Sequence, residues 1–191
     1  MTQKHLISLK ASVLLVSAVL LFSGCTEENS NNPNGGTLRP ADLLPASNEI
    51  SGWEKGTDTG DYGEADDQAS LYALINGYSE LYIQHGFVEG VFQVYDGIIG
   101  FAVEAEIYIG DHGSQSNAAE LFDEEQVVPN SLTPWEVGDE AMIDETLPFH
   151  VMIHARADRF YIRVQVEKGN DDTIAQVTAQ QFVTAIINEI N

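Results

Sequence analysis

A chain of 191 residues is long enough to bury a full core in one domain, and its 30 acidic residues against eight basic ones give a formal charge of −22. A surface of that sign repels nucleic acid and anionic lipid head groups, which excludes nucleic-acid binding as a function class. Cys25 is the single cysteine, so the chain can form no intrachain disulfide and has no thiol pair for redox chemistry.

In chain order, the first ten residues carry Lys4 and Lys10 and no acid, and the apolar run "ASVLLVSAVLLF" follows from Ala11 to Phe22. That run is too short to cross roughly 30 Å of hydrocarbon, which takes about 20 residues, but it fits the apolar core of a secretion signal. It ends in "LFSGC", where small Ser23 and Gly24 precede Cys25. This ending resembles the bacterial lipobox, with Phe22 standing where leucine is usual. The resemblance implies cleavage before Cys25, diacylation of its sulfur and usually a third acyl chain on its amine. Two or three chains hold a protein stably on a membrane, where one does not. Residues 1–24 are thus expected to be a signal peptide. Two of the eight basic residues lie there, leaving six against 30 acids, a formal charge of −24 on the mature chain. The lipid contact through Cys25 places the domain outside the cytoplasm. In a bacterium with two membranes, Thr26 in place of Asp resembles the sorting pattern for the outer membrane, facing the periplasm.

The segment "TEENSNNPNGGT", residues 26–37, has no apolar residue to pack, so 25–37 is expected to be a flexible tether and 38–191 a single folded domain. Within "LLPASNEISGWEKG", Trp53 is the expected core anchor. The acidic "DTGDYGEADDQ" is expected as a loop, with Asp66 or Asp67 capping the helix after it. From Leu71, the residues Leu74, Ile75, Tyr78, Leu81, Tyr82 and His85 recur at spacings of three and four. That predicts one helix running through Asn76-Gly77 to a stop at Gly86, with Phe87 folding back. Gly77 then costs roughly 1 kcal/mol against alanine, which predicts close approach of Trp53 or a strand backbone at that point.

Two strands, 91–95 and 100–110, are predicted around a turn at Asp96-Gly97. The second sets Phe101, Val103, Ala105, Ile107 and Ile109 against Glu104, Glu106 and Tyr108. A short helix over 114–126 is capped by Ser114 or Ser116, with Ala118, Leu121 and Phe122 inward. "FHVMIHA" and "RFYIRVQVE" alternate as a hairpin with its turn at Ala157-Asp158. A last helix from Asp171 or Asp172 carries Ile174, Val177, Phe182, Ala185, Ile186 and Ile190. The order predicts an α+β domain, with an antiparallel sheet of about four to six strands and helices packed on one face.

Candidate chemistry is sparse. Asp58, Asp61, Glu64, Asp66 and Asp67 crowd one loop, and hard cations such as calcium take oxygen ligands, but the spacing is not that of a calcium loop: Gly60 stands where a ligand belongs. Asp58, Asp61 and Asp66 are the weak metal candidates, and helix capping is the competing role. His150 and His154, on a strand, lie roughly 13 Å apart, too far to share one metal. The scarce positive charge is concentrated: Arg156, Arg159 and Arg163 share the polar face of one hairpin with His150 and His154. That face could recognise an anion or an acidic partner. The competing reading pairs these arginines with Glu104, Glu106 and Glu167 on neighbouring strands, which the residue types favour. Asn76 is a candidate ligand contact on the helix. No Gly-x-Ser-x-Gly elbow or glycine-rich phosphate loop occurs, and "GDHGS" sets Asp111, His112 and Ser114 too close in sequence to form a relay by themselves. No catalytic residue and no cofactor is assigned.

Gly52, Trp53, Ile75, Asn76, Gly77, Tyr82, Gly86 and Phe87 resemble the pattern of an uncharacterised bacterial family of exported proteins: a Gly-Trp near the domain start, then an Ile-Asn-Gly helix closing on Gly-Phe. The chain departs from that pattern at Tyr78, Ser79 and His85. The resemblance implies fold and export but no reaction. The expected function is a membrane-anchored lipoprotein with an acidic extracytoplasmic binding or interaction domain, with an envelope protein as a candidate partner. The alternative is an extracytoplasmic hydrolase or metal-dependent enzyme using the acidic loop and His112, which requires a concavity joining Asp61, Asp66, Tyr78 and His112. A third reading is an accessory subunit of an export or envelope complex.

Overall fold

Strict alternation of side chains builds the sheet at the centre of the molecule. The computed structural model describes residues 37–191 except Asn76, within one unit, Gly36–Asn191. The signal segment, Cys25 and the tether up to residue 36 lie outside the described residues. Strands β1 (Glu54–Lys55) and β2 (Tyr62–Ala65) both pair with one edge of β3 (Glu89–Ile99), which pairs with β4 (Phe101–Asp111). The sheet continues through β8 (Phe160–Glu167), β7 (His150–Ala157), β6 (Glu140–Asp144) and β5 (Thr133–Pro134), every pairing antiparallel. Helices α1 (Gln68–Ile75), α2 (Ser79–Gln84), α3 (Gln115–Phe122) and α4 (Asp172–Ile190) complete an α+β domain. Among the described residues no helix is long and apolar enough to cross a membrane.

The sheet has eight strands rather than four to six, and helices lie on both faces rather than one. The cause is visible in β4 and β8. Ala105, Ile107, Ile109, Ile162, Val164 and Val166 form one face and pack with Phe182, Val183 and Ile186 of α4. The opposite positions include Tyr108 and Tyr161, fully buried with Leu71, Tyr82, Leu121 and Phe122 from α1, α2 and α3. A sheet apolar on both faces must be covered on both. Each buried aliphatic or aromatic side chain contributes about 1.5–3 kcal/mol.

Several local expectations hold. Asp67 caps α1, its Oδ1 accepting from the Ser70 amide at 2.8 Å, and Ser114 caps α3 by accepting from the Asn117 amide. Asp171 caps α4 through the amides of Thr173 and Ile174. Gly86 stops α2 at φ +71°, and the Phe87 amide folds back to donate to the Tyr82 carbonyl.

Others are corrected. The continuous helix is broken: α1 ends at Ile75, Gly77 takes φ +145° and Tyr78 takes φ +53°, and α2 starts at Ser79. A Cβ at Gly77 would meet nothing within 4 Å, so no backbone or ring approaches there. Trp53 lies in the other core, stacked edge-to-face on Phe182 at 5.7 Å and pressed onto Gly97. Gly97 is therefore a strand residue, and the β3–β4 reversal comes at Gly100, φ +79°, instead of Asp96-Gly97. The β7–β8 turn is at Asp158-Arg159, one residue later than expected, with Asp158 at φ +50°. Part of the acidic loop is strand β2. On α4 the inward line is Ala175, Ala179, Phe182 and Ile186, which follows the 3.6-residue period and leaves Ile174 and Val177 exposed.

Candidate functional site

The residues of the basic hairpin face have separate partners. Arg156 lies against Asp139 and Glu140, at 3.5 and 3.3 Å. Arg159, in the turn, donates to Asp111 Oδ2 at 2.7 Å and to the Leu38 carbonyl, with its guanidinium over the Phe160 ring. These partners replace the expected Glu104, Glu106 and Glu167. Register explains the difference: Glu106 sits opposite Gln165, while Arg163 sits opposite Tyr108, and Glu104 lies past the last β4–β8 pair. His150, at the start of β7, is opposite Glu167 and remote in register from the rest.

What the structure does bring together is Arg163 and His154, which face each other across β7 and β8. They line a cleft of about 330 Å³ between the sheet and the α1–α2 break, with Tyr78, Tyr82, Tyr161, Asp144 and Met152. Ile75, Val127, Pro129 and Leu147 supply further apolar wall. The broken helix makes this opening: the left-handed backbone at Gly77 and Tyr78 turns α2 away from α1 and leaves Tyr78 largely exposed at the rim.

Arg163 stands apart from the other arginines of the domain in its charge environment. Arg39, Arg156, Arg159 and Lys168 each hold an acidic partner. Arg163 has no ion pair and no side-chain hydrogen bond among the described residues; its Cζ lies 5.8 Å from the Tyr108 ring centroid, within cation–π reach. His154 is 4% exposed and shares a hydrogen bond with the Tyr161 hydroxyl at 2.7 Å. Burial, reinforced by the charge of Arg163, pushes the His154 pKa down to about 4, so the imidazole is neutral near pH 7. Burial likewise pushes the Tyr161 and Tyr108 hydroxyls well above their ordinary range, keeping both as phenols. His154 and Tyr161 are therefore neutral groups in the cleft, and its charged lining residues are Arg163 and Asp144.

The residues of the enzyme reading do not converge. The cleft takes in Tyr78 but not Asp61, Asp66 or His112. His112 is fully buried; its Nδ1 donates to the His85 carbonyl at 2.8 Å, which leaves Nε2 an unpartnered acceptor. Desolvation lowers its pKa to about 4. In the acidic loop, Asp61 accepts from the Asp58 amide, the Asp66 amide donates to Ser70 Oγ, and Glu64 pairs with Arg39 and Tyr62. Among the described residues no three metal-ligating side chains gather. Asn76 lies outside the described residues. Asp144 and Tyr161 carry no motif in the sequence; the signal that could have found them is the alternation placing them on the same face as His154.

No family model and no curated protein matches the chain. Among solved structures, the extracellular domain of PknH from Mycobacterium tuberculosis is similar in fold, with a TM-score of 0.50 at 10% identity over 80% of this chain and 95% of that one. At that identity the likeness concerns the fold alone.

Proposed function

We propose that the chain is a lipid-anchored, extracytoplasmic domain that binds a small organic carboxylate in the cleft beside the α1–α2 break. The observation that carries this reading is Arg163, a guanidinium without an acidic partner among the described residues in a domain where 28 acids stand against six bases. In such a surplus of carboxylates, a cation left free at the bottom of an apolar cleft is a recognition group for an anion from outside. The volume falls at the lower end of small-molecule sites, about 300–1,000 Å³, and the lining follows their pattern of apolar wall with few polar groups. The negative surface opposes polyanions, so a ligand of low charge fits best. The sequence "LFSGC" supports anchoring through Cys25, and the fold likeness to a domain described as extracellular agrees with a location outside the cytoplasm.

The test is calorimetry on the full-length lipoprotein in detergent, with 4-methylpentanoate against 4-methylpentanamide. The acid should bind more tightly than the amide, and Arg163→Gln should erase the difference. Equal binding of acid and amide by the unmodified protein contradicts the reading. Anchoring is checked separately by Cys25→Ala, which should move the protein from the membrane fraction to the soluble one.

A further inference from the structure

Asp144 gives the cleft a second, opposite charge. It is 8% exposed at the end of β6, and its Oδ1 accepts from the amide and the hydroxyl of Thr146, at 2.9 and 2.7 Å. No basic side chain lies within ion-pair distance of it among the described residues; the nearby Lys168 pairs instead with Asp172. Asp144 and Arg163 are on the same face of the sheet, because Met142, His154 and Arg163 form one cross-strand row and Asp144 heads the next, opposite Met152. Two strand spacings, about 10 Å, separate β6 from β8, with His154 between them. The two charges share a cleft without forming a salt bridge.

Among the described residues Asp144 is buried with no cation against it and Arg163 is half-buried with no carboxylate, and the strand between them holds the two charges apart. We infer that the cleft recognises a zwitterion, an apolar α-amino acid, whose carboxylate meets Arg163 and whose ammonium meets the open oxygen of Asp144. Its side chain lies against Ile75, Val127, Leu147 and Met152. Each ligand charge neutralises one protein charge, so binding leaves the net charge of the cleft unchanged and desolvates matched pairs only. A plain carboxylate would satisfy Arg163 and leave Asp144 desolvated alone; a plain amine would do the reverse. An amino acid carries a partner for each, an ammonium for Asp144 and a carboxylate for Arg163.

This inference rests on the carboxylate reading and is tested apart from it. Calorimetry on the same full-length protein compares L-leucine with 4-methylpentanoate, N-acetyl-L-leucine and L-leucine methyl ester. Leucine should bind at least about tenfold more tightly than each of the others, the discrimination expected when a buried polar group loses its partner. In Asp144→Asn, leucine should fall to the level of 4-methylpentanoate; in Arg163→Gln, the methyl ester should bind as well as leucine. The ligand series on the unmodified protein decides the question even where a variant folds poorly. If 4-methylpentanoate binds as tightly as leucine, the amino-acid inference is overturned while the carboxylate reading stands. If neither binds, both fall.

Discussion

Gly97→Ala is the sharpest test of how the two cores are built. A Cβ at this position would lie 2.6 Å from three atoms of the Trp53 indole, about 1 Å inside van der Waals contact. The indole cannot swing away: it is 5% exposed, wedged against Phe182 at 5.7 Å, and belongs to the core shared with Tyr95 and Ile99. Overpacking of that kind costs about 1–3 kcal/mol. The gain from replacing a strand glycine, about 0.5–1 kcal/mol, offsets only part of it. The net loss of about 1–2 kcal/mol should lower the melting temperature by roughly 2–8 °C in a domain of this size. Thermal unfolding followed by far-UV circular dichroism measures it. A double-mutant cycle with Trp53→Leu isolates the cause, since a smaller side chain at position 53 should bring the cost of Gly97→Ala close to zero. An unchanged or raised melting temperature for Gly97→Ala, or the same cost in both backgrounds, would refute the packing argument.

Gly77→Ala should also destabilise, by about 1–3 kcal/mol, but through backbone strain at φ +145° rather than a clash; Trp53→Leu should leave that cost unchanged in chemical denaturation. Stability should fall as pH drops from about 6.5 towards 4, because His112 and His154 are neutral when folded, with pKa values near 4, and are protonated below about 6.5 when unfolded. The unfolded state binds more protons in that window, so each histidine should cost on the order of 2 kcal/mol by pH 5, and His112→Gln should flatten the urea-midpoint profile against pH. Arg159→Met leaves the Asp111 carboxylate, buried beneath it, without its cation and should cost about 3 kcal/mol, most of it recovered in the double variant Arg159→Met with Asp111→Asn. Urea denaturation of the two variants measures both effects.

The four central strands, their facing pattern and the helix caps were legible from local pattern, because these depend on residues a few places apart. Alternation in "GFAVEAEIYIG" and "RFYIRVQVE" set which side chains share a face, and Asp67, Ser114 and Asp171 marked where helices begin. The sequence also held the unequal charge, and with it the scarcity that makes Arg163 notable. The folded sheet settled which of three arginines has no acidic partner among the described residues. Arg156, Arg159 and Arg163 are equivalent in the sequence, and the competing reading rightly expected carboxylate partners for two of them but chose the wrong carboxylates. The choice depended on register with β4 and β6 and on a turn shifted by one residue, which no local pattern encodes. The glycines divide the same way. Helical periodicity ran across Asn76-Gly77, yet the chain breaks there because α1 and α2 each pack separately against the second face, and the close approach expected at Gly77 is found at Gly97 instead. A glycine's sequence neighbours limit the backbone it can adopt, whereas the ring that lies on it comes from far along the chain, and only the folded sheet brings Trp53 to that strand.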